Sequence, residues 1–351
     1  MRLVLVLAAA VRCVAAYGAE PMTQAEEQRP ADADRSHDPT AEHPPARGPS
    51  IGSPTLRIPT LRMPTLGGGV LWGDVLLDSG YRIQHRVGAG DQYRLLSPAD
   101  LRMTGGTLEQ CREALVAERQ RLALPPQSGE VVILIHGILR SSKSMSRIKS
   151  AIDAAGLTAL RFDYPSTQVP IVESAGYLRR VIDGMGPEVT KIHVVVHSMG
   201  GLVMRTYLRE AGDEVDPRLG RMVMIGVPNK GANLADMFGG LGLFNLIFGP
   251  AGRELSEGDA GVAAALPTPA FEFAVIAGSR GTEAGFNLLV PGDDDGTVAV
   301  NSTRLPGACD FMAVRGLHST LMYQQTVVDA TVRFLETGCL HETGQCDPVA
   351  D

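Results

Sequence analysis

The residues whose types and spacing could do chemistry are Ser198, Asp295 and His318. Ser198 lies in His197-Ser198-Met199-Gly200-Gly201, directly after the apolar run Lys191 to Val196 and ahead of a helical pattern from Gly200 to about Ala211. A serine at a sharp strand-to-helix turn is exposed for attack, and small residues must flank it so that neighbouring backbone can come close. Gly200 and Gly201 meet that need. Val196 stands where the pattern G-x-S-x-G has its first glycine, so the turn has to accept a β-branched residue there. The other reading of the local pattern is a helix N-terminus capped by Ser198, because serine is a favoured cap.

A serine hydroxyl at neutral pH is a poor nucleophile; it needs an imidazole to take its proton and a carboxylate to orient that imidazole. Asp295-Gly296-Thr297-Val298 and Gly316-Leu317-His318-Ser319 supply both downstream, each in a loop after an expected strand. Asp293 and Asp294 adjoin Asp295, and three adjacent acids are also a potential Ca²⁺ ligand set, though without the spacing of an EF-hand loop. Upstream, His136-Gly137-Ile138 closes the apolar run Val131 to Ile135. A tetrahedral intermediate gathers negative charge on the former carbonyl oxygen, and the backbone N–H groups of Ile138 and Met199 are the candidate donors to it. The histidines His85, His193 and His341 lack metal-site spacing, so neither a metal nor another cofactor is implied.

Through Ile135-His136-Gly137, His197-Ser198-Met199-Gly200-Gly201, Asp295-Gly296-Thr297-Val298 and Leu317-His318, the chain resembles the α/β-hydrolase superfamily, and within it the bacterial lipase and esterase branch, over roughly Val131 to Leu335. The resemblance implies hydrolysis of a carboxylic ester, small or lipid, through an acyl-Ser198 intermediate, with His318 as base and then acid. It selects Asp295 as the partner of His318, because an acid shortly before Val298 matches the family's pattern. The same groups would serve a thioesterase, amidase or acyltransferase, since the leaving group is not encoded in the triad. A catalytically silent relative that binds a ligand or partner is the reading from a different class.

Those residues need a scaffold, and the chain alternates strand and helix patterns from Val131 onward. Strands are expected at Val131–Ile135, Leu157–Asp163, Lys191–Val196, Met222–Val227, Phe271–Ala277 and Phe311–Val314, with helices at Ser142–Ala155, Ile171–Met185, Gly200–Ala211 and Ser319–Leu335. This rhythm predicts an α/β fold, a mostly parallel sheet with helices on both faces. Ahead of it, order is expected from Trp72. Tyr81, Ile83, His85 and Val87 alternate with Arg82, Gln84 and Arg86, and a turn at Gly88–Asp91 leads into Gln92–Leu96, which reads as a hairpin. Thr107 and Gln110 form a capping box for a helix with Leu108, Cys111, Leu115 and Leu122 on one face.

The expected organisation is a signal peptide over residues 1–19, a disordered Pro-rich linker over 20–69, a hairpin and helix packed on the core over 70–130, a catalytic domain over 131–337 and a tail over 338–351. Export follows from the signal reading; a disordered start is its alternative. In the linker Pro54-Thr55-Leu56-Arg57-Ile58 recurs as Pro59-Thr60-Leu61-Arg62-Met63, which suits a spacer. The insertion from Pro228 to Leu266, rich in Phe, Leu and Gly, is read either as a lid over the site or as core.

A net charge of −7 over 351 residues provides no basic footprint for nucleic acid, and any membrane contact is at most peripheral. Of the five cysteines, Cys13 lies in the expected signal. The other four are read either as the pairs Cys339–Cys346 and Cys111–Cys309 or as separate thiols.

Overall fold

The hydrophobic pattern changes character near residue 129, and the chain accordingly builds two different sheets. The computed structural model describes residues 63–64, 71–231, 250, 263 and 265–350, all within the compact unit Ile58–Asp351. The expected signal, nearly all of the linker and most of the 228–266 insertion lie outside the described residues.

The first sheet is antiparallel, with strands β1 (Met63–Pro64), β2 (Trp72–Asp78), β3 (Tyr81–Arg86), β4 (Tyr93–Leu96) and β5 (Leu101–Gly106) in the order β1-β5-β4-β3-β2. The expected hairpin is β3–β4, in register from Arg82 opposite Leu96 to His85 opposite Tyr93. Helix α1 (Leu108–Leu122) starts at the capping box: Thr107 Oγ1 accepts the Gln110 N–H at 3.3 Å and Gln110 Oε1 accepts the Thr107 N–H at 3.0 Å. Cys111 and Leu115 are buried, whereas Leu122, expected on the same face, is exposed.

The second sheet holds β6 (Gly129–Ile135), β7 (Thr158–Phe162), β8 (Val189–His197), β9 (Leu219–Ile225), β10 (Phe273–Ser279) and β11 (Asp310–Arg315). All its pairings are parallel, and the order is β11-β10-β9-β8-β6-β7. Strands covered on both faces can be apolar at successive positions, as Val131–Ile135 and Val194–Val196 are. The helices interleaved along the chain are α2 (Ser146–Ala154), α3 (Ile171–Asp183), α4 (Met199–Ala211), α5 (Val300–Thr303) and α6 (Gln325–Thr337). On one face α3 and α4 share a core with β2 to β4; on the other α2 packs with α6. The strand order reverses between β6 and β8, and such a switch point opens a crevice at the carboxyl ends of the strands. Among the described residues no helix is long and apolar enough to cross a membrane.

Two expected helices are interrupted. The segment read as Ser142–Ala155 opens with a 3₁₀ turn, Ser142–Met145, before α2. The segment read as Ser319–Leu335 is a 3₁₀ turn, His318–Tyr323, and then α6, because the backbone is extended at Gln324 (φ −76°, ψ 133°). Of the two readings of the four cysteines, the structure has the separate thiols. All four thiols are free, and Cys111 and Cys309 belong to cores on opposite faces of the parallel sheet, which excludes the bond expected between them.

The alternation in β3 hides an ionic cluster. Arg82 and Gln84, read as outward-facing, are buried between the two sheets. Arg82 pairs with Asp163 and Asp100, with Asp74 at 3.6 Å; Asp74 Oδ2 accepts the Asp163 N–H at 2.6 Å and Asp74 Oδ1 accepts a Gln84 amide N–H at 2.8 Å. Asp100 is also paired with Arg161 at 3.4 Å and Lys143 at 3.8 Å, which leaves Arg82 between Asp74 and Asp163; one guanidinium cannot neutralise two buried carboxylates, so one of them keeps its proton most readily. Burial pushes the Asp74 carboxyl up to about 7, with Arg82 pulling against it. Burial, the largest single influence, opposes ionisation of Asp163 as well, but Arg82, His136 and the Ser142 N–H together outweigh it and hold Asp163 at about 2.

Folded Asp74 thus binds a proton where the unfolded chain has released it. Its contribution to stability is complete below the unfolded value of 3.8 and is lost as pH rises through about 7. Asp163 does not titrate in that window. Buried His136, His193 and His197, whose pKa values burial lowers, act in the opposite sense below the ordinary histidine value, so the difference between variants isolates Asp74: in urea unfolding, the stability of the wild type relative to Asp74→Asn, which cannot ionise, should fall between about pH 4 and about pH 7.

Candidate active site

Strand β8 ends between β6 and β9, with Val196 opposite Ile135 and Met224, and the chain then turns into α4 at Ser198. Ser198 has φ 53° and ψ −128°, a conformation that L-residues rarely adopt and that costs on the order of 1–3 kcal/mol. The turn is held by the Ser198 N–H, which donates to Ile225 O at 2.9 Å. Close packing explains the glycines: a Cβ on Gly200 would stand 2.7 Å from His136 O, and one on Gly201 2.5 Å from the Val227 methyls. Val196 fits because it lies within β8 and its side chain is fully buried in the core. The capping alternative does not hold, since the Ser198 side chain makes no capping bond.

The Ser198 hydroxyl meets His318 instead, with Oγ 2.9 Å from Nε2. His318 Nδ1 is 2.7 Å from Asp295 Oδ2. A carboxylate only accepts, so the imidazole proton sits on Nδ1 and Nε2 is left to accept from the serine. Asp295 is buried and held on every side: Oδ1 accepts the N–H groups of Thr297 (3.0 Å) and Val298 (2.7 Å), and its backbone carbonyl accepts the His318 N–H (2.8 Å). Asp293 and Asp294 are occupied elsewhere. Asp293 accepts from Ser279 Oγ and the Arg280 N–H, and Asp294 from the N–H groups of Asn287 and Gly296.

His136, Gly137 and Ile138 lie beside the serine. A Cβ on Gly137 would stand 3.0 Å from Ser198 Cβ and 2.9 Å from His197 Nδ1, so only glycine admits this approach. His136 is fully buried, stacks on Tyr164 at 4.4 Å, and is 2.8 Å through Nδ1 from Gly137 O, to which it donates. Burial lowers its pKa. In a trans peptide C=O and N–H point in opposite directions, so fixing the Gly137 carbonyl turns the Ile138 N–H away from His136. The Met199 N–H, in the first turn of α4, has no intrahelical acceptor.

His197 ties the two halves of the site. Its Nε2 donates to the His318 carbonyl at 3.1 Å, its rings and those of His318 are 4.9 Å apart, and burial first, then His318, holds its pKa well below the ordinary value. It stays neutral and acts as a donor.

Several positioning residues carried no sequence signal. Tyr164 donates through its hydroxyl to His136 O at 2.7 Å, and Arg140 donates to Ser319 O at 2.9 Å. Gly226 and Gly278 clear space at strand ends for His318 and Asp295, and a glycine closing an apolar run is the trace they leave in sequence. Arg205 on α4 is buried and donates to the carbonyls of Asn229, Leu266 and Pro267, the stems of the insertion. His193, buried in β8, bonds Glu130 (3.1 Å) and the Arg221 N–H (2.9 Å) and is a structural residue. His85 bonds the Tyr177 hydroxyl and Gly90 O, each at 2.8 Å. The one cluster of metal-ligating types among the described residues, Asp310 with Cys339 and Cys346, is at the other end of β11.

Residues 102–246 match a family model described as a domain of unknown function, DUF7379. No curated protein matches the chain. Solved structures similar to it include the lin2722 gene product of Listeria innocua (19% identity, TM-score 0.44, covering 64% of this chain and 98% of that one). The mature lipase BlEst2 of Bacillus licheniformis is 20% identical, with TM-score 0.44 and coverage of 59% and 89%. Phospholipase PlaB of Legionella pneumophila is 14% identical, with TM-score 0.46 and coverage of 61% and 60%.

A side chain that replaces the His197 donor should preserve the serine's reactivity. Glutamine places an N–H near the position of Nε2, so His197→Gln should leave the rate of phosphonylation by a fluorophosphonate within about threefold. His197→Ala loses a buried hydrogen bond worth about 1–3 kcal/mol and should slow it about 10- to 100-fold.

Proposed function

We propose that this α/β-hydrolase fold carries a serine hydrolase that cleaves carboxylic esters through an acyl-Ser198 intermediate. The observation that carries the reading is the continuous relay Ser198 Oγ, His318 Nε2 at 2.9 Å, His318 Nδ1 and Asp295 Oδ2 at 2.7 Å, mounted on a serine with positive φ. His318 takes the hydroxyl proton as Ser198 attacks the ester carbonyl, and the Ile138 and Met199 N–H groups receive the oxyanion. The imidazolium then protonates the leaving alcohol. Water, deprotonated by His318, attacks the acyl-serine, and the proton returns to Ser198 as the acid leaves.

The rim supports an apolar acyl group. Leu139, Leu317, Phe286, Leu288 and Leu289 are exposed on the loops that carry the oxyanion donor, the histidine and the acid. Leu317 and Phe286 flank Gly296, next to Asp295. An apolar substrate chain would cover surface that is otherwise wet.

The test is hydrolysis of p-nitrophenyl esters graded in acyl length. Turnover by the wild type that disappears in Ser198→Ala supports the reading. Turnover confined to thioesters, amides or acyl acceptors other than water would move the assignment to a thioesterase, amidase or acyltransferase, and none on any acyl donor would leave a binding protein. Asp295→Asn should lower kcat by about 10³- to 10⁴-fold, the scale on which loss of an orienting carboxylate acts. Asp293→Asn, remote from the imidazole, should keep kcat within about tenfold.

A further inference from the structure

At the far end of β11 from His318, the C-terminal segment brings two thiols together. Asp310 opens β11, is fully buried, and organises that segment with both carboxylate oxygens. Oδ2 accepts the Leu340 N–H at 2.6 Å and Oδ1 accepts the Asp347 N–H at 2.8 Å. Each of these N–H groups belongs to the residue directly after a cysteine, Cys339 in one case and Cys346 in the other. One carboxylate thereby sets the separation of the pair. Between them the chain reverses, with Gly344 in the left-handed region (φ 72°) donating to His341 O at 3.1 Å. Beyond them Val349 exchanges hydrogen bonds with residues 307 and 308.

The sulfurs and the Asp310 carboxylate lie within 4.8 Å of one another. Cys339 is buried with Sγ 3.3 Å from Asp310 Oδ2, whereas Cys346 is exposed. A buried thiol facing an exposed one gives a small oxidant a point of attack and a resolving partner behind it.

We propose that Cys339 and Cys346 form a thiol–disulfide site that fastens the C-terminal segment over the start of edge strand β11, with glutathione disulfide or a disulfide of the same class as the oxidant. The Cys346 thiolate attacks one sulfur of glutathione disulfide, forming a mixed disulfide and expelling one glutathione thiolate. Cys339 then loses its proton, and its thiolate attacks the Cys346 sulfur and expels the second. Two protein thiols are oxidised to one disulfide, and one glutathione disulfide is reduced to two glutathiones. A metal fits less well. The Asp310 oxygens already receive the N–H groups of Phe311, Leu340 and Asp347, and the nearest further ligand type, His341, with Nε2 3.4 Å from Asp310 Oδ1, donates through that nitrogen to the Phe311 carbonyl at 3.2 Å. The hydrogen bond with Cys339, followed by burial and the Asp310 charge, pushes the Cys346 thiol up to about 12, so the exchange is slow at neutral pH.

The test equilibrates the whole protein with reduced or oxidised glutathione, alkylates free thiols under denaturing conditions and digests with trypsin. The tryptic peptide beginning at Phe334 carries both cysteines. The account expects that peptide to be doubly alkylated from the reduced sample, and unalkylated and two hydrogens lighter from the oxidised one. Oxidation should raise the Tm by about 3–10 °C, a shift absent in Cys346→Ser. Ester turnover should be the same in Cys346→Ser and wild type within about twofold, because the pair is remote from Ser198. Two alkylated cysteines in the oxidised peptide at equilibrium, a link from either cysteine to Cys309, or stoichiometric zinc that is lost in Cys346→Ser would each overturn the proposal.

Discussion

The site depends on the backbone conformation of one residue. Ser198 sits at φ 53° only because its neighbours leave no alternative: its N–H is committed to Ile225, Gly200 is pressed against the end of β6, and Gly201 against Val227. A strained residue persists where its surroundings over-determine it. The consequence is a hydroxyl that leaves the helix it would otherwise cap and projects to the imidazole of His318. The His136–Ile138 loop and the histidine loop are aligned to that hydroxyl by other contacts, chiefly the His197 and His136 hydrogen bonds.

Support for this arrangement comes from well outside the triad. The Asp74–Arg82–Asp163 cluster joins the antiparallel sheet to the end of β7. Asp163 also accepts the Ser142 N–H and hydroxyl and lies 3.5 Å from His136 Nε2. The antiparallel sheet is thus electrostatically coupled to the residue that orients the Gly137 carbonyl. Buried charge of this kind is weak evidence for stability and better understood as fixing one arrangement of the parts. At the opposite end of the parallel sheet, Asp310 anchors the C-terminal segment in a comparable way, with a buried carboxylate satisfied by backbone N–H groups.

Much of the parallel core was legible in sequence, for physical reasons. Strands buried on both faces carry uninterrupted apolar runs, and loops after such strands meet at one end of the sheet, so Ser198 and His318 could be placed from order, whereas Asp295 was singled out from its two acidic neighbours by the resemblance. What was not legible required tertiary partners. Arg82 and Gln84 occupy alternate positions of β3 and read as solvent-facing; only the facing acids from β2 and the end of β7 make their burial tolerable. Strands β2 and β5 lack the period that marked their neighbours. The break at Gln324 interrupts a helical pattern with neither Gly nor Pro to announce it. Among three successive aspartates, the sequence pattern favoured Asp295, and the hydrogen bonds give the reason: Asp293 and Asp294 are engaged by backbone N–H groups of their own loop, while Asp295 alone has an oxygen facing His318.

The most direct measurement is the mass and location of the adduct formed when the folded protein reacts with a fluorophosphonate. The account predicts one phosphonyl group per chain, on Ser198, and no adduct in Ser198→Ala. Absence of an adduct on the folded wild-type protein, or an adduct that persists in Ser198→Ala, would contradict it.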